Sequence, residues 1–153
     1  MFCQEVFGGR YEAPPKMTKF PNINNVDEIT VVGPITIRSA CAHHLVPIMG
    51  DCFVAVIYGR ELIGLSKFHR LTEWICARPQ IQEEAAKMLA DELEHELEPA
   101  GLMVIMRASH LCCGWRGVKQ ADSKMISSVL RGRFLGDQAA RAEALQLIKG
   151  AGL

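Results

Sequence analysis

Two short segments of the sequence concentrate side chains that can bind a metal ion. The first runs from Ser39 to Pro47 and contains Cys41, His43 and His44. A thiol and an imidazole separated by two residues can both reach one ion, and a mixed Cys/His set favours zinc among the available divalent cations. Because two ligands do not complete a site, this spacing alone is a weak signal.

The second segment, Ser109 to Lys119, contains a third ligand in either Cys112 or Cys113. If both segments lie at neighbouring strand ends, one of these thiols completes a set of three protein ligands. A fourth position then stays open for water, which is typical of catalytic zinc sites. Side chains alternate along a strand, so only one of the two thiols is expected to face the ion.

Histidines beside these segments are candidates for proton transfer. His43 and His44 are consecutive, so one can face the metal while the other faces a substrate. A histidine that titrates near neutral pH can relay protons, and we assign this role to His43 and His110. The alternative for each is a hydrogen-bonded histidine with a structural role only.

Basic side chains near the two segments suggest that the substrate carries phosphate. A predicted helix begins after Gly64-Leu65-Ser66, and a helix N-terminus with hydroxyl, ammonium and guanidinium groups binds phosphate well. The alternative is that these groups are solvated surface residues, so the inference depends on their convergence in the fold. The candidate contacts are Ser66, Lys67, Arg70 and Arg116.

A second predicted helix start carries Gln82 and Glu83, which could pair with the edge of a base. A carboxylate that accepts two N–H donors selects guanine over adenine. The simpler interpretation of Glu83 is that an acidic residue stabilises the first turn of a helix.

Length and composition limit the class of protein. A chain of 153 residues suits a single hydrophobic core, and its 17 acidic and 17 basic residues balance, so no global field attracts nucleic acid or an anionic membrane. With neither a secretion signal nor an apolar run of membrane-spanning length, we expect a soluble, cytoplasmic protein. Its six cysteines are then reduced thiols, and Cys52 and Cys76 are core residues.

The elements that position these residues follow from local patterns. Residues 1–28 are rich in Pro, Gly and Asn and predict an irregular arm, followed by one catalytic domain over residues 29–153. Strand signals over 28–39 are interrupted by a bulge or edge position at Gly33-Pro34, and residues 50–65 predict a hairpin.

Helix signals separate these strands from a second pair. Ser66 is the predicted N-cap of a short helix, and Pro79 opens a longer one that stops near Pro99. Strands over 102–119 and 125–134 and a helix over 137–150 follow. This order predicts an α+β domain with an antiparallel sheet covered by helices on one face. The strands are apolar enough to be buried on both faces, and self-association is the simplest source of the second cover.

Four motifs, in order, resemble those of the GTP cyclohydrolase I family. CAHHLVP is similar to its Cys-Glu-His-His loop, and GLSKFHR to its Gly-Leu-Ser-Lys phosphate segment. RPQIQEE resembles its Gln-Glu guanine segment, and HLCCGWRGV its His-x-Cys-x-x-x-Arg-Gly signature. The likeness extends over nearly the whole chain.

The resemblance implies a role for each candidate residue. Cys41, His44 and Cys112 would bind Zn²⁺, and His43 and His110 would transfer protons. It implies triphosphate contacts from Ser66, Lys67, Arg70 and Arg116, and guanine contacts from Gln82 and Glu83. It also implies the tunnelling fold, whose antiparallel sheets join side by side into a pentameric ring, usually stacked as a decamer, with active sites between subunits.

The activity implied is hydrolysis of the imidazole ring of GTP. Zinc-activated water would attack C8, formate would leave, and rearrangement would give 7,8-dihydroneopterin triphosphate for pterin and tetrahydrofolate biosynthesis. Two departures stand out: Ala42 replaces the glutamate of the family loop, and the helical segment that usually precedes this region is not in the sequence. The second departure concerns the stacking of two rings more than the chemistry of the site.

Two alternatives remain open at this point. One is the tunnelling-fold nitrile reductase of 7-deazaguanine synthesis, which uses a cysteine thioimide and leaves the Cys41/His44/Cys112 set unexplained. The other is an altered or inactive paralogue that binds GTP or stops after ring opening, and Ala42 is its support.

Overall fold

The structure is a computed structural model that describes residues 2–153 and, for Phe2, the backbone only. The elements are α1 (Phe2–Phe7), a 3-10 turn (Gly8–Arg10), β1 (Lys19–Pro21), β2 (Ile29–Cys41), β3 (Pro47–Ile57), β4 (Glu61–Ile63), α2 (Leu65–Cys76), β5 (Pro79–Gln80), α3 (Gln82–Leu97), β6 (Gly101–His110), α4 (Leu111–Gly114), β7 (Met125–Gly132), α5 (Arg133–Gly136) and α6 (Gln138–Gly150).

Five strands form one sheet in the order β5-β2-β3-β6-β7, and β1 pairs with β4 in a second sheet. Every pairing is antiparallel except that of β2 with β5, so the predicted α+β class is confirmed. No helix within residues 2–153 is long and apolar enough to span a membrane.

The central strands β3 and β6 are buried on both faces, as their apolar sequences predict. On one face, Val54 packs in a cluster with Leu89 of α3. On the other, Phe53 and Ala55 pack with Ile148 of α6. The expectation that self-association supplies this second cover is wrong for this part of the sheet, because the chain's own C-terminal helix covers it.

The N-terminal arm is more regular than its composition predicts. β1 pairs with β4 in a register that places Phe20 opposite Leu62. Closer to the N-terminus, the indole Nε1 of Trp74 donates a hydrogen bond to the carbonyl of Glu12 at 3.0 Å. The arm therefore lies against β4 and α2.

The prediction of a hairpin over residues 50–65 is wrong. β4 pairs with β1 and not with the preceding strand β3. The Asn22 side chain helps to fix this arrangement, because its Nδ2 donates to the carbonyl of Gly59 at 2.9 Å. A long-range contact thus replaces the local pairing that a turn at Gly59 favours.

Both central helices begin at residues other than those predicted. Gly64, not Ser66, is the N-cap of α2, so Ser66 lies in its first turn. α3 begins at Gln82, because Pro79 and Gln80 form the short strand β5 beside the end of β2. The pairing of Gln80 with Cys41 ties the chain between the helices to the metal-binding segment.

The sheet has two largely open edges. β2 carries the predicted bulge, where its register on β3 shifts between Val32 and Ile35. β5 pairs only with Ala40 and Cys41 of β2, and within residues 2–153 no other strand pairs with the outer edge of β2 or of β7. Since β2 and β7 run in opposite directions, these edges are compatible with antiparallel pairing between copies.

Candidate active site

Strand register brings the two metal-binding segments together. Cys41 is the last residue of β2, and the chain turns back so that Pro47 lies opposite Ala40. The turn is closed by the N–H of Leu45 on the carbonyl of Cys41 at 2.9 Å. Ile48 of β3 then pairs with His110, the last residue of β6. The ends of three strands therefore meet at the place where α4 begins.

The three side chains implied as metal ligands lie close together. The ligand atoms of Cys41, His44 and Cys112 are all within 4.8 Å of one another, and Cys41 Sγ is 3.8 Å from His44 Nδ1. Tetrahedral zinc, with bonds of about 2.3 Å to sulfur and about 2.0 Å to nitrogen, requires an S···N separation of roughly 3.5 Å. Two sulfur atoms and one imidazole nitrogen at this spacing fit a zinc ion and leave one coordination position open.

The thiols of this site lie at the boundary of the core. Cys41 is buried in a small cluster with Ile48 and Ala108, and Cys112 packs partly against it. Burial raises the pKa of Cys112 to about 11, and the neighbouring thiols of Cys41 and Cys113 add to this effect. A cation that binds both sulfurs must therefore displace protons, so metal binding here is coupled to proton release.

Cys113 lies outside the metal-binding set and is exposed. The strand predicted to run past these residues instead ends at His110, and Leu111–Gly114 form a helical turn. Successive side chains in such a turn differ in direction by about 100°. Rotation about a helix, and not strand alternation, separates the two cysteines.

His110 is held by a buried amide. Its Nε2 lies 2.9 Å from Gln82 Oε1, while Gln82 Nε2 donates to the carbonyls of Met106 and Met125 and to Ser127 Oγ at 3.0–3.1 Å. Because the amide nitrogen faces acceptors, Oε1 accepts from the histidine, and the neutral ring carries its proton on Nε2. Burial lowers the pKa of His110, and the charge of Glu83 opposes that shift.

This arrangement gives Gln82 a part that sequence reasoning missed. Its side chain is 3% exposed and fixes the orientation of His110. The helical spacing of Gln82 with Ala85, Ala86 and Leu89, all on the buried face of α3, was the signal that could have revealed it. Its contact with guanine stays a prediction.

The remaining candidates at this end of the sheet are exposed. His43 is exposed, and its ring lies edge-on to that of His44 with centroids 6.1 Å apart. Glu83 is exposed in the first turn of α3, and Arg116 is exposed in the loop after α4. These residues surround the end of the strands without contacting one another through a hydrogen bond or ion pair among the described residues.

The three residues predicted to bind phosphate near the start of α2 are not brought to this site. α2 runs from Leu65 to Cys76, so about 15 Å of helix separates Ser66 from its end beside β5. The Nζ of Lys67 donates to the carbonyl of Lys16 at 2.7 Å, and Arg70 is exposed. Within one chain, the predicted phosphate contacts on α2 therefore lie far from the predicted metal ligands.

Comparison with solved structures identifies the fold. The crystal structure of the archaeosine synthase QueF-Like in the apo form is similar, with a TM-score of 0.50 and 12% identity, over 78% of this chain and 97% of that chain. At this identity the likeness shows the fold alone, and it confirms the tunnelling fold.

Sequence comparison gives a closer relation. A family model described as GTP cyclohydrolase I matches residues 1–149. The GTP cyclohydrolase 1 of Geobacillus sp. (strain WCH70) is 42% identical over 147 residues, which cover 95% of this chain and 78% of that protein. The GTP cyclohydrolase 1 of Bacillus subtilis (strain 168) is 40% identical over 146 residues, covering 95% and 77%. The resemblance found in the four motifs is thus confirmed, and the chain belongs to the GTP cyclohydrolase I family.

Proposed function

We propose that this chain hydrolyses the imidazole ring of GTP at C8, releases formate and forms 7,8-dihydroneopterin triphosphate, a pterin precursor of tetrahydrofolate. The observation that carries the proposal is the set of Cys41, His44 and Cys112, with ligand atoms within 4.8 Å of one another. Family membership supplies the substrate class. Residues 29–153 hold every group used below, so we take them as the catalytic domain.

The donor set favours Zn²⁺ as the resident metal. Two thiolates and one imidazole match the ligand preference of zinc, and three protein ligands are typical of catalytic zinc. When bound at such a site, zinc acts as a Lewis acid and lowers the pKa of a coordinated water towards neutrality.

Two histidines are suited to move protons beside this site. The hydrogen bond from Nε2 of His110 to Gln82 Oε1 leaves Nδ1 of the neutral ring as the basic atom, available to accept a proton from the reacting group. His43 is exposed next to His44 and can exchange protons with solvent. Ring opening, release of formate and ring closure all require proton transfer, so two separate carriers suit the reaction.

Substrate binding requires groups near the metal site and groups at the start of α2. Glu83 at the start of α3 is the candidate acceptor for guanine N–H groups, and Arg116 is a candidate triphosphate contact near the metal. Because Ser66, Lys67 and Arg70 lie far from their own metal site, we propose that a second copy of the chain supplies them. The open antiparallel edges of β2 and β7 support a side-by-side ring, a pentamer or a pair of stacked pentamers.

The test is incubation of zinc-loaded protein with GTP while formate and pterin fluorescence are followed separately. Appearance of both signals supports the proposal. Absence of both, in protein shown to contain zinc, would contradict it and leave a GTP-binding protein.

Ala42 favours a second candidate, an enzyme that stops after ring opening. Its N–H donates to the carbonyl of Gln80 at 3.1 Å, so the loop backbone is fixed, while its methyl group cannot replace the carboxylate usual in the family. Formate without pterin fluorescence would indicate this arrested reaction. Ala42→Glu would then restore the fluorescence without increasing metal content.

A further inference from the structure

A cleft of about 540 Å³ lies between the N-terminal arm and the junction of α2, β5 and α3. We call it the arginine cleft. None of the candidate site residues discussed above lines it. Its walls are formed by Gly9, Arg10, Tyr11, Arg78, Pro79, Gln80, Glu84 and Met88.

Arg78 is fixed in this cleft but incompletely hydrogen-bonded. Its guanidinium lies 4.4 Å from the ring centroid of Trp74, and Nη2 donates to the carbonyl of Trp74 at 3.2 Å. Nη1 faces the thioether sulfur of Met88 at 3.4 Å, which is a weak acceptor. Its Nε is buried and finds no hydrogen-bond partner among the described residues. A buried N–H donor without a partner is costly, so the protein's own acceptors do not saturate this guanidinium.

Arg10 brings a second positive charge to the same cleft. Burial lowers the pKa of Arg78, and the charge of Arg10 lowers it further, against smaller opposing effects that include Glu92. Within residues 2–153 neither arginine forms an ion pair, although Glu84 lines the same cleft. Two guanidinium groups that repel each other are stabilised by a shared dianion.

Gln80 and Glu84, which also line the cleft, offer acceptors in place of donors. Gln80 is 5% exposed, and its Nε2 donates to the carbonyl of Ile75 at 2.8 Å and to Ser39 Oγ at 3.3 Å. Its Oε1 is buried without a partner among the described residues, and Glu84 is a second lining residue with acceptor oxygens. A ligand that pairs with the two arginines and with Glu84 needs an anionic group and N–H or O–H donors.

We propose that the arginine cleft binds a small phosphorylated molecule, with its phosphate between Arg10 and Arg78 and its donor groups towards Gln80 and Glu84. A volume of about 540 Å³ lies within the roughly 300–1,000 Å³ of small-molecule sites. A phosphate dianion matches two guanidinium groups in charge, and their planar N–H arrays match its oxygen atoms. The site is separate from the phosphate contacts proposed on α2.

Trp74 provides a direct reporter, because it lies under the guanidinium of Arg78. In Trp115→Phe protein, Trp74 is the only remaining tryptophan. Inorganic phosphate is titrated into this zinc-loaded protein at constant ionic strength, with chloride as the reference anion. We expect a saturable change in tryptophan fluorescence with phosphate and none with chloride.

Arg10→Gln removes one charge from the cleft at an exposed position, so the protein should keep its fold. We expect phosphate affinity to fall by about tenfold, as for loss of one charge-assisted contact. Arg60→Gln is the matched control, since Arg60 is exposed at the other end of the sheet, and its affinity should equal that of the parent.

Equal affinities in the Arg10→Gln and Arg60→Gln proteins would overturn the proposal. They would place the phosphate at Ser66, Lys67 and Arg70 instead, near enough to Trp74 on α2 to affect its fluorescence. A linear response to phosphate would also overturn it. The readout does not depend on GTP hydrolysis, so failure of the proposed catalytic function would leave this result unaffected.

Discussion

The end of β2 and the start of α2 carry different parts of the proposed reaction, and they are assembled in different ways. At the end of β2, the register of three strands places the ligand atoms of Cys41, His44 and Cys112 within 4.8 Å of one another. At the start of α2, Ser66 and Lys67 are about 15 Å of helix away from that end of the sheet. In the proposed function, one chain therefore builds the reacting centre, and a second copy completes the substrate site.

This difference predicts different consequences for substitutions at the two ends. A change at the metal end should act within a single chain and reduce metal content. A change at the start of α2 should leave the metal in place and act on the active site of a neighbouring copy.

Cys112→Ser should abolish both metal binding and activity. Loss of a direct ligand should lower zinc affinity beyond the roughly 10–100-fold typical of substitutions in the surrounding hydrogen-bonded shell, because an uncharged hydroxyl replaces a thiolate. Elemental analysis and formate release measure the two effects. Cys113→Ser is the matched control, since Cys113 is exposed outside the set, and it should keep both properties. Stoichiometric zinc in the Cys112→Ser protein would contradict the ligand assignment.

Two inactive variants from opposite ends should restore activity when they share a ring. Cys112→Ser lacks the metal and Lys67→Met lacks a phosphate contact, but a mixed ring contains sites that take the metal from one chain and Lys67 from the other. With random assembly, about one quarter of the sites are intact. Co-expression followed by formate assay measures the recovery.

The control for this experiment pairs two variants from the same end. Cys112→Ser mixed with His110→Ala should stay inactive, because both residues reach a site from the same chain. Equal recovery in the two mixtures would show that the metal end is itself shared between copies. No recovery in either mixture would show that α2 serves its own chain after a large rearrangement.

Gln82→Leu should reduce turnover while zinc remains bound. The substitution removes the acceptor that orients His110 and the donor to Met106, Met125 and Ser127, so kcat should fall by about 10–100-fold. Unfolding should also become easier by about 1–3 kcal/mol, because buried acceptors lose their partner. Gln82→Glu keeps an acceptor for His110 and should retain more activity than Gln82→Leu when both are assayed at a temperature where they are folded. A higher KM for GTP with unchanged kcat in both would instead indicate a guanine contact.

Residue patterns could predict the family, the fold class and the metal-binding candidates, because these depend on local motifs and on strand alternation. The apolar runs around Val54 and Val104 correctly indicated strands buried on both faces. They could not say what covers them, since α6 is distant in sequence and only tertiary packing places Ile148 against Phe53. The hairpin near Gly59 failed for the same reason, as β4 pairs with the distant β1.

Local sequence also limited what could be predicted about the candidate site. Motif spacing identified residues at both ends of the molecule, but no spacing rule states that α2 separates Lys67 from Cys41 within one chain. The sequence predicts Gln82 as a base contact because it begins a helix beside Glu83. Its burial and its bond to His110 depend on β6 and β7, which the helix sequence alone does not contain.

The smallest expected effect concerns α6, which covers the second face of the sheet away from both ends. The carboxylate of Asp137 accepts the N–H of Ala140 at 3.0 Å and caps this helix. That N–H, and then the guanidinium of Arg133, lower the pKa of Asp137. Its stabilising effect is therefore present above the pKa of the unfolded chain, about 3.9, and is lost as pH falls through the lower folded value.

Asp137→Ala should lower Tm by a few degrees at neutral pH, with zinc content and formate release unchanged at temperatures where the protein is folded. The difference from the parent should shrink as pH falls below the folded pKa of Asp137, because the parent then loses the charge on its cap. Asp137→Asn keeps an acceptor for the Ala140 N–H and should lie between the two at neutral pH. Loss of zinc in the Asp137→Ala protein would contradict this prediction. It would show that metal binding at the end of β2 depends on the stability of α6.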